Sequence, residues 1–172
     1  MKIEPATRAD REALLQLVES AFRGDSARLG WSHEADLLGG QRTDFEEIDE
    51  LLGDPRNLVL LLRDGDSLAG CVALTNRGDG TAYLGMLSVD PKRQAGGLGR
   101  RLMLAAEQAA AERFGAKRIE LTIIPHRTEL TAWYERRGYR LTGEQRPFPM
   151  DDPRFGIPKV DDLMFAVMDK PL

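Results

Sequence analysis

A glycine-rich turn from Gln94 to Arg100, reading Gln-Ala-Gly-Gly-Leu-Gly-Arg, constrains this chain more than any other feature. Three glycines in four positions allow the backbone to approach a ligand closely. Apolar residues at helical spacing continue from Leu98 to Phe114, so we expect the turn to open a helix. Free N–H groups at a helix start bind anions, and four basic residues strengthen the positive potential here: Lys92, Arg93, Arg100 and Arg101.

The spacing of the glycines distinguishes between the known phosphate-binding turns. The chain contains no Gly-x-x-x-x-Gly-Lys-[Ser/Thr] run, which argues against a P-loop nucleotide site. A dinucleotide fingerprint starting at Gly97 would need a glycine where Leu102 stands. Glu120 does lie at a suitable distance along the chain to hold a ribose, so a dinucleotide-binding oxidoreductase remains a minor alternative.

The spacing [Gln/Arg]-x-x-Gly-x-[Gly/Ala] fits, and Gln94, Gly97 and Gly99 supply it after a strand-like segment. This pattern resembles the acyl-CoA signature of the Gcn5-related N-acetyltransferase (GNAT) superfamily, in which the amides of the turn hold the CoA pyrophosphate. Downstream, residues 132–139 resemble that family's Tyr-x-x-x-Gly-[Phe/Tyr] element, with Tyr134 in the tyrosine position. The resemblance depends on both sequence motifs, which occur in the same order as in the family.

The pattern of apolar residues and the resemblance agree on the fold class. Extended runs over 58–62, 68–75 and 82–89, separated by glycine-containing turns, predict an antiparallel meander. The helix after Gly97 and a β-branched strand at 119–124 predict a right-handed parallel crossover. We therefore expect one α/β (α+β) domain over residues 1–172, with a mixed, mostly antiparallel GNAT-like sheet of about seven strands and about four flanking helices.

Composition excludes several other classes. The 172 residues carry a formal net charge of −4, which argues against a general nucleic-acid binder. Cys71 is the only cysteine and stands in an apolar run, which favours a buried thiol over a nucleophile. The chain shows no signal-like or membrane-spanning segment, so we expect a cytoplasmic monomer or homodimer without a membrane partner.

The resemblance implies transfer of an acetyl group from acetyl-CoA to an amine by direct attack, without a metal. In the family, main-chain groups of the strand before the turn bind pantetheine and polarise the acyl carbonyl, and a tyrosine protonates the departing thiolate. Here Tyr134 would be that general acid, although its helical spacing from Leu130 is equally that of a core residue. The implied donor-binding residues are Leu87, Ser88, Val89, Gln94, Ala95, Gly96, Gly97, Leu98, Gly99 and Arg100.

The general base and the acceptor are less constrained. Strand 83–87 lacks a carboxylate, so the general base must be sought elsewhere. One candidate is Glu120 on the following strand, and His126 stands just after that strand. The early loop offers three more: His33, Glu34 and Asp36. Arg127 stands where many relatives carry an asparagine facing CoA. Two loops, 23–43 and 146–161, hold aromatic residues among acids and predict a pocket for a cationic amine, with Trp31, Glu34, Asp36 and Phe148 as binding residues and with Phe155, Asp151 and Asp152 beside them.

Besides the dinucleotide-binding oxidoreductase, one other function stays open, a non-catalytic acyl-CoA-binding domain. A domain that kept the pyrophosphate turn but lost turnover would bind acyl-CoA without catalysis, and the missing strand carboxylate favours it. Retention of Tyr134 opposes it. Neither the acceptor, a small-molecule or peptide amine, nor the length of the acyl chain follows from the sequence.

Overall fold

The structure, a computed structural model, describes all residues from Met1 to Leu172. Strands and helices alternate along most of the chain. In order they are β1 (Lys2–Pro5), α1 (Arg11–Phe22), α2 (Gly24–Ala27), β2 (Leu38–Gly39), α3 (Phe45–Gly53), β3 (Asn57–Asp64), β4 (Ser67–Asn76), β5 (Thr81–Val89), α4 (Leu98–Phe114), β6 (Arg118–Ile123), α5 (Thr128–Glu135), β7 (Arg140–Pro147), β8 (Ile157–Pro158) and β9 (Met164–Pro171).

One seven-stranded sheet organises the molecule, with the strand order β1-β3-β4-β5-β6-β9-β7. Neighbouring strands in this sheet are antiparallel, except that β5 and β6 are parallel and are joined through α4. The predicted mixed, mostly antiparallel sheet and the parallel crossover are therefore confirmed. Five helices flank it where about four were expected, because the early loop contains the single turn α2.

The sheet is covered on both faces, which explains the near-continuous apolar sequence of β4. Successive side chains of a strand point to opposite faces. Val72 and Leu74 accordingly pack into the core beneath α4, whereas Cys71 and Ala73 pack with residues of α1 and α3 on the other face. Cys71 is fully buried, and burial raises the pKa of its thiol to about 12, so it is the unreactive small apolar residue that the sequence predicted.

The two parallel strands separate after a short stretch, and this opens the site. β5 and β6 pair only from Thr81 to Tyr83 on β5. Beyond that point β5 also carries a bulge, because residues 85–88 oppose residues 71–73 of β4, and Met86 at the bulge has a positive φ of 54°. The second half of β5 is thereby turned away from β6, and a cleft lies between them.

The long connection between β7 and β9 differs from expectation. Its proline-rich sequence predicts an irregular loop. In the structure it contains β8, which pairs with β2 of the early loop. Leu38, Phe148 and Leu163 pack together beside that pair, with Ile124 from the end of β6. Strands of two residues have no sequence period, so the joining of these two loops was not predictable.

Candidate active site

A cleft of about 600 Å³ occupies the gap between β5 and β6. It is lined by the glycine-rich turn, by α5 and by both loops whose aromatic residues were predicted to face an acceptor. Of the ten predicted donor-binding residues, eight line it: Leu87, Val89, Gln94, Ala95, Gly97, Leu98, Gly99 and Arg100. Gly96 and Ser88 lie outside the lining, and the Ser88 hydroxyl donates instead to the main-chain oxygen of Met86 at 3.0 Å.

The turn presents unpartnered amides to this cleft. Gly97 is the N-cap of α4 with a φ of 72°, no side chain caps the helix, and its first turn contains no acidic residue. A Cβ atom added at Gly97 would meet nothing within 4 Å, so open space lies beside the backbone. Ala95 also has a positive φ, 76°, and such a backbone in a non-glycine residue costs about 1–2 kcal/mol. This local strain, together with that of Met86, falls within the site.

Two arginines lie beside the turn. Arg100 lines the cleft from α4, and Arg137 lines it from the segment after α5, with its guanidinium 3.7 Å from the centre of the Trp133 ring. Arg137 also donates to the main-chain oxygen of Trp133 at 2.7 Å, which holds it in place. Bare amides and two guanidinium groups suit a polyanion such as the pyrophosphate of CoA.

Tyr134 reaches the cleft from α5 and is 6% exposed. Its ring packs edge-on against Trp133 and Tyr139, with centroids 5.0 Å and 5.4 Å away. The hydroxyl groups of Tyr83 and Tyr139 are bound to Thr122 and Glu107, whereas that of Tyr134 has no protein partner. Burial raises the pKa of Tyr134 to about 12, more than the nearby charge of Arg127 lowers it, so the phenol stays protonated at neutral pH.

A buried ion-pair network lines the same cleft as Tyr134. Glu34 pairs with Arg127 at 3.1 Å through one carboxylate oxygen and with Arg23 through the other. Burial acts to raise the pKa of Glu34, but the charges of Arg127, Arg23 and Arg42 outweigh it and hold the pKa below its usual range. The carboxylate is therefore ionised and fully engaged. Arg127, whose role was doubtful from the sequence, anchors the early loop through Glu34 and the main-chain oxygen of Ser32.

Several predicted residues lie outside the cleft lining. Asp36 is exposed and pairs with Arg28 at 2.6 Å. Glu120 is buried between Arg77 and Arg146, at 3.3 Å and 3.0 Å. Neither histidine reaches the lining, nor do the two aspartates of the later loop: His33, His126, Asp151 and Asp152. Trp31, Glu34, Phe148 and Phe155 do line it. Of the four acids predicted for the acceptor pocket, only Glu34 lines the cleft, and it is already paired with two arginines.

The sequence did not single out some lining residues. Arg23 follows α1, Arg42 lies in the early loop, and Tyr83 is the last residue of β5 that pairs with β6. None of the three belongs to a pattern, so only the folded chain identifies them. Arg137 did have a signal, since it stands four residues after Trp133 and therefore on the same side of the chain's helical path.

Comparison with known proteins identifies this arrangement. The model of the acetyltransferase (GNAT) family matches residues 12–139, which include both the turn and Tyr134. The chain belongs to this family. It is an N-acetyltransferase that acts with acetyl-CoA. No curated protein sequence matches this acetyltransferase significantly.

Solved structures share the fold of this acetyltransferase. Ribosomal-protein-alanine N-acetyltransferase from Brucella melitensis is 19% identical with a TM-score of 0.72, covering 100% of both chains. IAA acetyltransferase from Bacillus cereus is 16% identical with a TM-score of 0.70, covering 99% of each chain. The protein yncA from Salmonella typhimurium, solved with its cofactor acetyl-CoA, is 21% identical with a TM-score of 0.68, covering 99% of this chain and 93% of its own.

Two further structural findings concern metals and membranes. No group of three or more His, Cys, Asp or Glu side chains is arranged to hold a metal ion. None of the helices combines the length and the hydropathy that a membrane span requires.

Proposed function

We propose that this acetyltransferase moves the acetyl group of acetyl-CoA to the amine of a small molecule by direct attack, with Tyr134 as the general acid. The observation that carries the proposal is the continuity of the cleft. One surface joins the uncapped turn at Gly97, the separated edge of β5 and the free hydroxyl of Tyr134. A thioester donor and an amine acceptor that enter from the two ends would meet beside that hydroxyl.

The donor half of the cleft suits CoA. The amides from Ala95 to Gly99 and the guanidinium groups of Arg100 and Arg137 would bind the pyrophosphate. Leu87 and Val89 line the cleft beyond the last pairing with β6, so main-chain groups on that edge of β5 would be available to pantetheine and to the acyl carbonyl. Fixed main-chain donors of this kind stabilise the charge that develops on a carbonyl oxygen during acyl transfer.

In the reaction a carbon–nitrogen bond replaces a carbon–sulfur bond, and one proton passes from the amine side to the thiolate side. The amine nitrogen bonds to the carbonyl carbon while the carbon–sulfur bond breaks, and the proton that the amine loses balances the one that the thiolate gains. Tyr134, with a pKa of about 12, holds its proton until negative charge grows on the sulfur, whose thiol has a reference pKa of about 8.5. The proton released by the amine then restores the phenol.

Glu34 is unsuited to be the base. Its two arginine partners stabilise the carboxylate, so it has little tendency to take a proton near neutral pH. Glu120 is held by Arg77 and Arg146 outside the lining. We infer that Glu34 positions the loop over the cleft instead.

Two loops cover the acceptor end of the cleft, which favours a small-molecule acceptor over an amine on a protein surface. β2 and β8 join the two loops above it, and Arg23 donates to the main-chain oxygen of Phe155 at 3.3 Å, which adds a second connection. The side chain of Lys159 donates to the main-chain oxygen of Ala35 as a third. A cleft closed by three such links admits a compact amine more readily than a folded polypeptide.

Thiol release from acetyl-CoA, measured with a panel of amines, tests this function. Tyr134→Phe should lower kcat by about 100-fold to 10,000-fold while the acetyl-CoA Kd stays within about threefold, because the hydroxyl acts only as the thiolate leaves. Tyr139→Phe is the matched control, since its ring touches Tyr134 but its hydroxyl binds Glu107 away from the cleft. Binding of acetyl-CoA without release of thiol to any amine would instead support a non-catalytic acyl-CoA-binding domain.

A further inference from the structure

The charges that line the cleft are unevenly balanced. Only two acids contribute to it, Glu34 and Glu47, and no aspartate does. Five arginines face them: Arg23, Arg42, Arg100, Arg127 and Arg137. Arg100 and Arg137 lie beside the glycine-rich turn, which leaves three arginines against two glutamates toward the acceptor end. A cationic acceptor would gain little there, because positive charge is already in excess.

Of these three arginines, Arg42 has the least engaged guanidinium, because its only ion pair is a long one to Glu47. Arg127 and Arg23 share Glu34 and each also donates to a main-chain oxygen. The guanidinium of Arg42, in contrast, makes no hydrogen bond within the protein, and its nearest carboxylate oxygen, on Glu47, is 3.9 Å away. Its side chain is only 26% exposed, so its five N–H donors are partly shielded from water. None of them donates a hydrogen bond to a protein acceptor.

The position of Arg42 is nevertheless well defined. The main-chain N–H groups of Arg42 and Thr43 both donate to Oε1 of Glu19, at 2.6 Å and 2.7 Å. The guanidinium lies 5.4 Å from the centre of the Phe22 ring, which supports it from α1. Arg42 and Glu34 both line the cleft, and the charge of Arg42 helps to lower the pKa of Glu34. A guanidinium held in this way is a preorganised binding group for a carboxylate.

We propose that Arg42 binds a carboxylate of the acceptor, so that the substrate is a small amine that also carries a carboxylate group. This inference rests on the proposed function, because it names the acceptor class for the same cleft. The planar fork of the guanidinium pairs with both oxygens of a carboxylate, which orients the molecule as well as holding it. Phe22 and Phe148 provide apolar walls for the remainder of the substrate. Polyamines and other purely cationic amines are poor substrates on this account.

Matched amines test the acceptor class. L-methionine, L-methioninamide and 3-(methylthio)propylamine share one side chain but differ in the carboxylate, and further amino acids with their amides and decarboxylated amines extend the series. We expect kcat/KM to be about 10-fold to 100-fold higher for the carboxylates. The amide has the more readily deprotonated amine, so a preference for the carboxylate cannot come from amine basicity. Equal or higher kcat/KM for the amides and plain amines would overturn the proposal and leave the acetyltransferase function intact.

Arg42→Gln identifies the residue responsible. The variant should lose the preference for carboxylates through a higher acceptor KM, while the acetyl-CoA Kd stays within about threefold. Arg28→Gln is the control, since Arg28 is about half exposed and pairs with Asp36 outside the cleft. Thermal melting of both variants verifies folding. A variant that keeps the full preference would overturn the role of Arg42.

A binding arm separates failure of this proposal from failure of the proposed function. Calorimetry with N-acetyl-L-methionine and N-acetyl-L-methioninamide, each added to protein with CoA, needs no turnover. Tighter binding of the carboxylate by the unmodified protein, lost in Arg42→Gln, supports the anion site even if no amine is acetylated. Equal affinity for the two compounds in the unmodified protein overturns it even if turnover is found.

Discussion

The main-chain N–H of Trp31 donates a hydrogen bond of 2.9 Å to Oε1 of Gln94. The amide nitrogen of the same glutamine donates to the Ser32 hydroxyl at 3.0 Å and to the main-chain oxygen of Val89 at 3.3 Å. The residue that begins the glycine-rich turn thus holds the early loop at the acceptor end of the cleft. Trp31 also lies 6.2 Å from Trp133, between centroids, so α5 contacts the same loop. The donor and acceptor halves of the site are therefore mechanically connected.

Gln94→Ala should loosen that connection. Each of its hydrogen bonds contributes about 0.5–1.5 kcal/mol, so we expect faster hydrogen exchange at the Trp31 amide and a several-fold higher acceptor KM. Gln108→Ala, on the exposed surface of α4, is the matched control. Unchanged exchange at Trp31 would show that other contacts hold the loop.

Gly97→Val should weaken acetyl-CoA binding by about tenfold or more, because a side chain would fill the space beside the amides and a β-branched residue disfavours the positive φ. Gly115→Val provides the comparison at the other end of α4, where φ is 62° and a Cβ would also meet nothing within 4 Å. Both variants should lose thermal stability, but only the first should lose affinity in calorimetry. Unchanged acetyl-CoA affinity in folded Gly97→Val would remove the turn from the donor site.

The pH–rate profile should lack a descending limb from Tyr134. A general acid must be protonated to act, and the fraction of protonated phenol falls only as the pH approaches a pKa of about 12. We therefore expect kcat/KM to rise with pH as the acceptor amine deprotonates and then to level off, measured over about pH 6–10. A fall near pH 9 that disappears in Tyr134→Phe would contradict this assignment.

Glu34→Gln should destabilise the protein by about 3–5 kcal/mol, because removing one partner leaves two buried guanidinium groups without a countercharge. The folded-state pKa of Glu34 lies below its unfolded value, so its contribution is present above the ordinary glutamate pKa of about 4.3 and is lost as the pH falls below it. Thermal melting at neutral and acidic pH measures both effects. The stability loss in acid should be smaller in Glu34→Gln than in the unmodified protein.

Asp36→Asn is the control for that variant, since this aspartate is 69% exposed and pairs only with Arg28. Its melting temperature should equal that of the unmodified protein. If both variants melted alike, the network around Glu34 would contribute nothing to stability.

The donor half of the site could be predicted from the sequence because its features are local. A glycine-rich turn before a helix produces bare amides wherever it folds, and Gln94, Gly97 and Gly99 are within six residues of each other. Strands β3 to β6 were likewise predictable from their apolar runs and the turns between them. The positive φ angles of Met86 and Ala95 could not be predicted, because neither methionine nor alanine favours that backbone conformation.

What the sequence by itself determined was therefore the mixed sheet, the parallel crossover and the family to which the chain belongs. The acceptor end was decided by the tertiary structure alone. Arg127 is far along the chain from Arg23 and Glu34, and only folding pairs both arginines with that carboxylate. The physical reason is that charge in a cleft depends on which side chains are paired there, and pairing between distant residues leaves no periodic trace in a sequence.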